Sequence, residues 1–212
     1  MGRWCAVALS LLAPSVASAQ SLWAEGSVRA SYVAGTYSFT DEVNPGYGQT
    51  GTLELEAPID AMGLELGGVL GYADSKYFAV GAGPSVLVAG TNAELGESSF
   101  SLTSVAALSL EAAIRPLGDG LFLRPSVGLA RSRPLASSTN DIGSAENIFE
   151  VETVTGPIVG LGAGWAAGLF GVSVKVSYAH LEAERTKFRP LMICVGVLVQ
   201  HWDLDEGAPR AR

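Results

Sequence analysis

From residue 23 onward, hydrophobic positions recur with a period of two, which is the period of a strand with two unlike faces. The clearest run is 100–115. There Phe100, Leu102, Ala106, Leu108, Leu110, Ala112 and Ile114 share one face, and Ser101, Thr103, Ser109, Glu111 and Arg115 share the other. Leu64, Leu66, Leu70 and Tyr72 likewise oppose Gly63, Glu65, Gly67 and Gly71. Val172, Val174, Val176 and Tyr178 oppose Ser173, Lys175 and Ser177. Near the end, Leu191, Ile193, Val195, Val197 and Val199 oppose Cys194, Gly196 and Gln200. The alternation predicts strands at 23–39, 61–72, 78–90, 99–115, 121–133, 151–166, 171–182 and 188–202. Each meets the roughly 9–11 residues that a tilted strand needs to cross a bilayer.

One face of branched aliphatics and one of Gly, Ser and a few charges suits lipid outside and a narrow lumen inside. The predicted connections alternate. Long stretches at 40–60 and 134–150 and medium ones at 91–98 and 183–187 alternate with short ones at 73–77, 116–120 and 167–170. Short periplasmic turns and longer external loops have this asymmetry. Aromatic residues also gather at the strand ends. Tyr72, Tyr77, Phe78, Phe122, Trp165, Phe170 and Trp202 mark the periplasmic side, and Tyr37, Phe39, Phe100, Tyr178 and Phe188 the outer side, as two interfacial girdles would. The expected fold is all-β: an eight-stranded antiparallel up-and-down transmembrane β-barrel over residues 20–202.

The flanks fit export. Arg3, the apolar stretch 5–16 and Ala17-Ser18-Ala19 form the three parts of a cleaved secretory signal, 1–19. A polar tail, 203–212, follows the last strand. One stretch offers a rival reading. Residues 156–174 carry no charge and contain Gly160, Gly164 and Gly168 at small-xxx-small spacing, as in a transmembrane helix. Pro157 and the density of glycine oppose a helix, and the same residues work as a hairpin.

Losing Arg3 with the signal leaves 12 basic residues against 21 acidic ones. Phosphate binding by nucleic-acid proteins needs clustered Lys and Arg, so a nucleic-acid partner is excluded. Cys5 leaves with the signal and Cys194 remains alone, so no intrachain disulfide forms. No metal or cofactor signature is present. Residues 162–167 match a loose dinucleotide fingerprint, but a strand follows where a helix is required. His180, Glu182 and Ser177 are the one grouping that could be arranged as a lipid-modifying triad, although a histidine at headgroup height is more often simply interfacial. The expectation is a non-enzymatic protein.

The inward charges carry more information. Arg29, Glu65, Glu111, Arg124 and Lys175 all fall on polar faces. The turn at 116–120 sets Glu111 nearly opposite Arg124, as a plug or as a gate that parts. At the outer rim, Arg185, Lys187 and Arg189 are candidate contacts for lipopolysaccharide phosphates.

On these strands and faces, residues 23–202 resemble the small eight-stranded outer-membrane barrels, the OmpA/OmpX-like transmembrane domain class. The resemblance implies residence in a Gram-negative-type outer membrane, insertion by the barrel-assembly machinery, and a monomer. Families of this class usually end on an aromatic residue that closes the last strand. Here Trp202 fills that role, but residues 203–212 follow it. The expected function is a structural or surface-interaction role through the extracellular loops. The alternatives are a narrow channel with a charged lumen and a lipid-modifying enzyme.

Overall fold

The computed structural model describes residues 22–43, 51–95, 98–117, 120–137 and 152–202, so the leader read at 1–19 and the tail at 203–212 lie outside it. The strands are β1 (Leu22–Val43), β2 (Gly51–Ser75), β3 (Phe78–Leu95), β4 (Ser98–Ile114), β5 (Gly120–Ser137) and β6 (Val154–Ala167). They are followed by β7 (Phe170–Ala179), which continues past His180 as Leu181–Glu182, and by β8 (Thr186–Trp202). Each pairs antiparallel with its neighbour in sequence. β8 returns to β1 from Trp23↔Trp202 to Phe39↔Thr186, which closes the sheet. The result is an eight-stranded antiparallel barrel with no free edge.

The sequence places every strand, but it ends several too early. The stretch 40–60 is largely wall and not loop: β1 and β2 stay paired up to Val43↔Gly51. Strands likewise run to Leu95, from Ser98 and to Ser137, so much of the predicted 91–98 connection is also paired. The physical reason is visible at Glu56, Pro58 and Asp60, which face outward and are exposed while Ile59 is buried. Period two persists above the membrane, but the outer face there turns polar and reads as a loop. The uncharged stretch 156–174 is the β6–β7 hairpin, turning at Gly168 with φ +59°. Among the described residues, no helix is long and apolar enough to cross a membrane.

The outward face is an aliphatic band. On β8 it runs from Leu191 to Val199, and Leu66, Leu108, Val127, Leu161 and Val174 continue it around the wall. At about 3.3 Å per residue and a tilt of 35–45°, the β8 segment rises about 20 Å, close to the ~25 Å apolar band of outer-membrane barrels. Outward-facing charges among the described residues sit above or below this band.

The interior has three storeys. The upper one is apolar, built from Val33, Ile59, Leu87, Val105, Ile158, Leu181, Phe188 and Met192. Charged residues occupy the middle. The floor is made by Trp23, Val69 and Trp202 on one side and Phe122 and Leu198 on the other. The aromatic girdle therefore needs correcting. Tyr77, Phe78, Trp165, Phe170 and Tyr178 face outward, but Phe122, Phe188 and Tyr37 are buried inside, where Tyr37 and Phe188 lie 6.1 Å apart. Trp202 packs against Trp23 at 5.9 Å. Parity decides these cases. Phe122 shares a face with Arg124, Phe188 with Cys194, and Trp202 with Gln200, so each must point inward. The side chains of Phe39 and Phe100 lie outside the described set.

Candidate functional site

The middle storey brings all five inward charges of the sequence reading together and adds a sixth, Glu25. Arg29, Glu65, Glu111, Arg124 and Lys175 are all buried. Arg29 lies 3.8 Å from Glu25 and 3.5 Å from Glu65. Lys175 lies 3.7 Å from Glu65 and 3.5 Å from Glu111. Arg124 lies 3.8 Å from Glu111, and it forks onto both carboxylate oxygens of Glu25. The six form a closed cycle of alternating sign, in which every carboxylate touches two cations and every cation two carboxylates. Its formal charge is zero.

Glycines make room for this cycle. Gly196 stands between Arg29 on β1 and Ser173 on β7, and Arg29 Nε donates to Ser173 Oγ at 3.2 Å. Gly162 stands between Arg124 on β5 and Lys175 on β7. A Cβ at Gly196 would lie 2.1 Å from the Val28 carbonyl oxygen. Arg124 also rests over Trp23 and Phe122, with its guanidinium carbon 5.2 and 4.9 Å from their ring centroids. The fork on Glu25 is a charge-assisted pair, whereas contacts of 3.5–3.8 Å are ion pairs without direct hydrogen bonds.

Sequence reasoning paired Glu111 with Arg124 and missed Glu25, the partner that engages Arg124 most closely. The signal was present, since Glu25 stands an even four residues before Arg29 on the same strand and so shares its inward face. Glu111 stands across from Ser126 in the ladder, so its contact with Arg124 is diagonal.

The second cluster lies outside, just above the aliphatic band. Lys187 and Arg189 face outward and are exposed, as are Arg131 and Arg133, which continue the outer face of Leu123, Val127 and Leu129. The ladder links these positions side by side: Arg131↔Thr155, Thr155↔Glu182, Glu182↔Lys187. With strands 4.7–4.9 Å apart, Arg131 and Lys187 stand about 15 Å from each other. Arg185 follows in the β7–β8 connection, where its backbone N–H donates to Glu152 at 3.2 Å. Glu182, above the band, has its carboxyl held below the usual carboxylate range by a hydrogen bond to His180, with Lys187 and Arg189 adding to the effect.

The grouping of His180, Glu182 and Ser177 does not assemble. His180 and Glu182 meet at 2.8 Å on the exposed outer side, whereas Ser177 is buried in the lumen, on the other face of the wall. One residue of offset in a strand reverses the face. Cys194 is buried inside the lumen as a free thiol.

No protein-family model matches the chain, and no curated protein matches it. Solved structures do. The outer membrane protein OprG of Pseudomonas aeruginosa aligns at 14% identity over 86% of this chain and 96% of that one, with a TM-score of 0.50. The outer membrane protein AlkL aligns at 16% identity over 90% and 93%, also at 0.50. Ail, the attachment invasion locus protein of Yersinia pestis, aligns at 15% identity over 82% and 97%, at 0.46. Likeness at this level is one of fold. The chain has the fold of the small eight-stranded outer-membrane β-barrels.

Proposed function

We propose that this protein is a monomeric outer-membrane barrel that works without catalysis through its extracellular face, where it binds the phosphates of lipopolysaccharide. The observation that carries the reading is the outward arc of Arg131, Arg133, Lys187 and Arg189 directly above the aliphatic band. Phosphates of the outer leaflet sit at that height, where guanidinium forks and ammonium point charges bind them well. Arg185 extends the arc toward the loops. In this reading, residues 1–19 direct export and are cleaved, and the barrel-assembly machinery inserts the chain.

The filled lumen supports a surface role over a conduit. A void of about 10 Å³ beside Glu65, Lys175 and Cys194 is room for a single water, not a path. The test uses the refolded mature chain and phospholipid vesicles with and without lipopolysaccharide. Changing Arg131, Arg133, Lys187 and Arg189 together to Gln should weaken binding to the lipopolysaccharide vesicles at least tenfold. Enzymatic removal of the lipid phosphates should have the same effect on the unaltered protein. Equal binding by both proteins would remove the arc as a phosphate site. Steady current steps in a planar bilayer would instead favour the conduit.

A further inference from the structure

The outer arc is divided in two. Arg131 and Arg133 stand two residues apart on the outward face of β5, and Lys187 and Arg189 do the same on β8. Two such positions lie about 7 Å apart along a strand, so each pair can grip one phosphate from two sides. Between the pairs the ladder places Thr155 on β6 and Glu182 at the end of β7. Glu182 is exposed, and His180 meets it at 2.8 Å. Its carboxyl is held below the usual carboxylate range, chiefly by that hydrogen bond, so it is ionised at neutral pH. The centre of the arc is therefore negative while both flanks are positive. A single phosphate placed midway would face the carboxylate, and like charges repel at that range.

We propose that the arc is a two-point site for one diphosphorylated glycolipid, an inference that rests on the lipopolysaccharide binding proposed above. One phosphate binds Arg131 and Arg133, and the other binds Lys187 and Arg189. The pairs stand about 15 Å apart across three strand spacings, which suits two phosphates at opposite ends of a disaccharide better than one headgroup phosphate. The sugar then spans the centre. There its hydroxyls donate to the Glu182 carboxylate and exchange hydrogen bonds with the Thr155 hydroxyl. Below the arc, the same four strands carry Leu129, Val159, Val176 and Leu191, all exposed on the outer face. Acyl chains of the same molecule lie against them, so the site is made for a lipid and not for a free sugar phosphate. An ordinary phospholipid, with one phosphate, fills one pair only.

Native mass spectrometry of the refolded mature chain in detergent counts bound glycolipid and measures its affinity, with diphosphoryl and monophosphoryl lipid A as probes. The unaltered protein should bind one diphosphoryl lipid A, about tenfold more tightly than the monophosphoryl form. Arg131→Gln with Arg133→Gln should reduce that preference to about twofold or less, because a single phosphate position remains. Lys187→Gln with Arg189→Gln should do the same. Glu182→Gln should narrow the preference from the other side, by letting the monophosphoryl form bind more tightly. These side chains are exposed above the band, and heat-modifiable gel migration verifies that the variants fold. Equal affinity of the unaltered protein for the two forms would overturn the proposal. So would two glycolipids bound per chain, or a preference that survives both double substitutions, as bulk charge alone would give. Binding of neither form would remove the lipopolysaccharide reading itself, and the two-point site with it. Equal competition by the deacylated diphosphorylated disaccharide would give the site to a soluble sugar phosphate and overturn the lipid assignment.

Discussion

At the scale of single residues, the cycle of six charges makes a quantitative claim. Glu25 engages Arg124 and Arg29 in the buried middle storey, so Glu25→Ala takes the most closely engaged carboxylate from Arg124 and leaves Arg124 with Glu111 alone and Arg29 with Glu65 alone. Breaking a buried pair from one side typically costs about 3–5 kcal/mol. Glu25→Ala should therefore destabilise the refolded barrel strongly, and much less when Arg124 is already Ala. A double-mutant cycle in urea, followed by tryptophan fluorescence, measures the coupling; a value near zero would mean that water, not Arg124, solvates Glu25. Glycines provide a second contrast. A Cβ at Gly26 meets nothing within 4 Å, whereas one at Gly196 would sit 2.5 Å from the Arg29 Cα. Gly26→Ala should fold with near-normal heat-modifiable migration, and Gly196→Ala should lose it, because the backbone of the β1–β8 seam has to shift. Parity made most inward residues legible in the sequence. What it could not show was which inward charge meets which across the lumen, because those contacts join strands far apart in the chain, as Glu25 and Arg124 are. The outer arc was legible only in part, since Arg131 and Arg133 share a strand with aliphatics and were read as its end.

At the scale of elements, two seams stand out. β2–β3 pairing passes from Gly67↔Ser85 to Leu70↔Ala82, and β4–β5 pairing from Glu111↔Ser126 to Ile114↔Leu123. Pro84 and Pro125 fall in those gaps, while each keeps its pairing on the opposite side, with Leu108 and Leu161. A proline has no N–H, so each removes one ladder bond from one seam only. Pro84→Val should restore that bond. The expected gain is about 1 kcal/mol of unfolding free energy from urea titration, with slower amide exchange around Gly68 to Leu70; unchanged exchange would mean that the seam is open for another reason. Element number and order were readable from period two alone. Element ends were not, because a strand that leaves the bilayer keeps its geometry while its outer face turns polar.

At the scale of the whole molecule, an even strand number puts both ends of the wall, Leu22 and Trp202, on one side, which the proposed orientation makes periplasmic. A tag at Ser138 should be labelled on intact cells, and one at Gly118 only after the outer membrane is permeabilised. The reverse pattern would invert the barrel. The charge cycle has a further consequence, for assembly in time. Its members come from β1, β2, β4, β5 and β7, and Glu25 and Arg124 are 99 residues apart in sequence. No local hairpin completes it; only a closing barrel does. A strand inserted one residue out of register would turn its charge toward lipid, at about 2–4 kcal/mol near the midplane, and would leave two partners unmatched inside. The cycle therefore acts as a checksum on register, satisfied by one arrangement of the wall and violated by its nearest errors. Chains in which all six charges are replaced by small neutral residues should still insert, but as a mixture of slipped forms that a single disulfide placed across the β1–β8 seam would trap in more than one pairing.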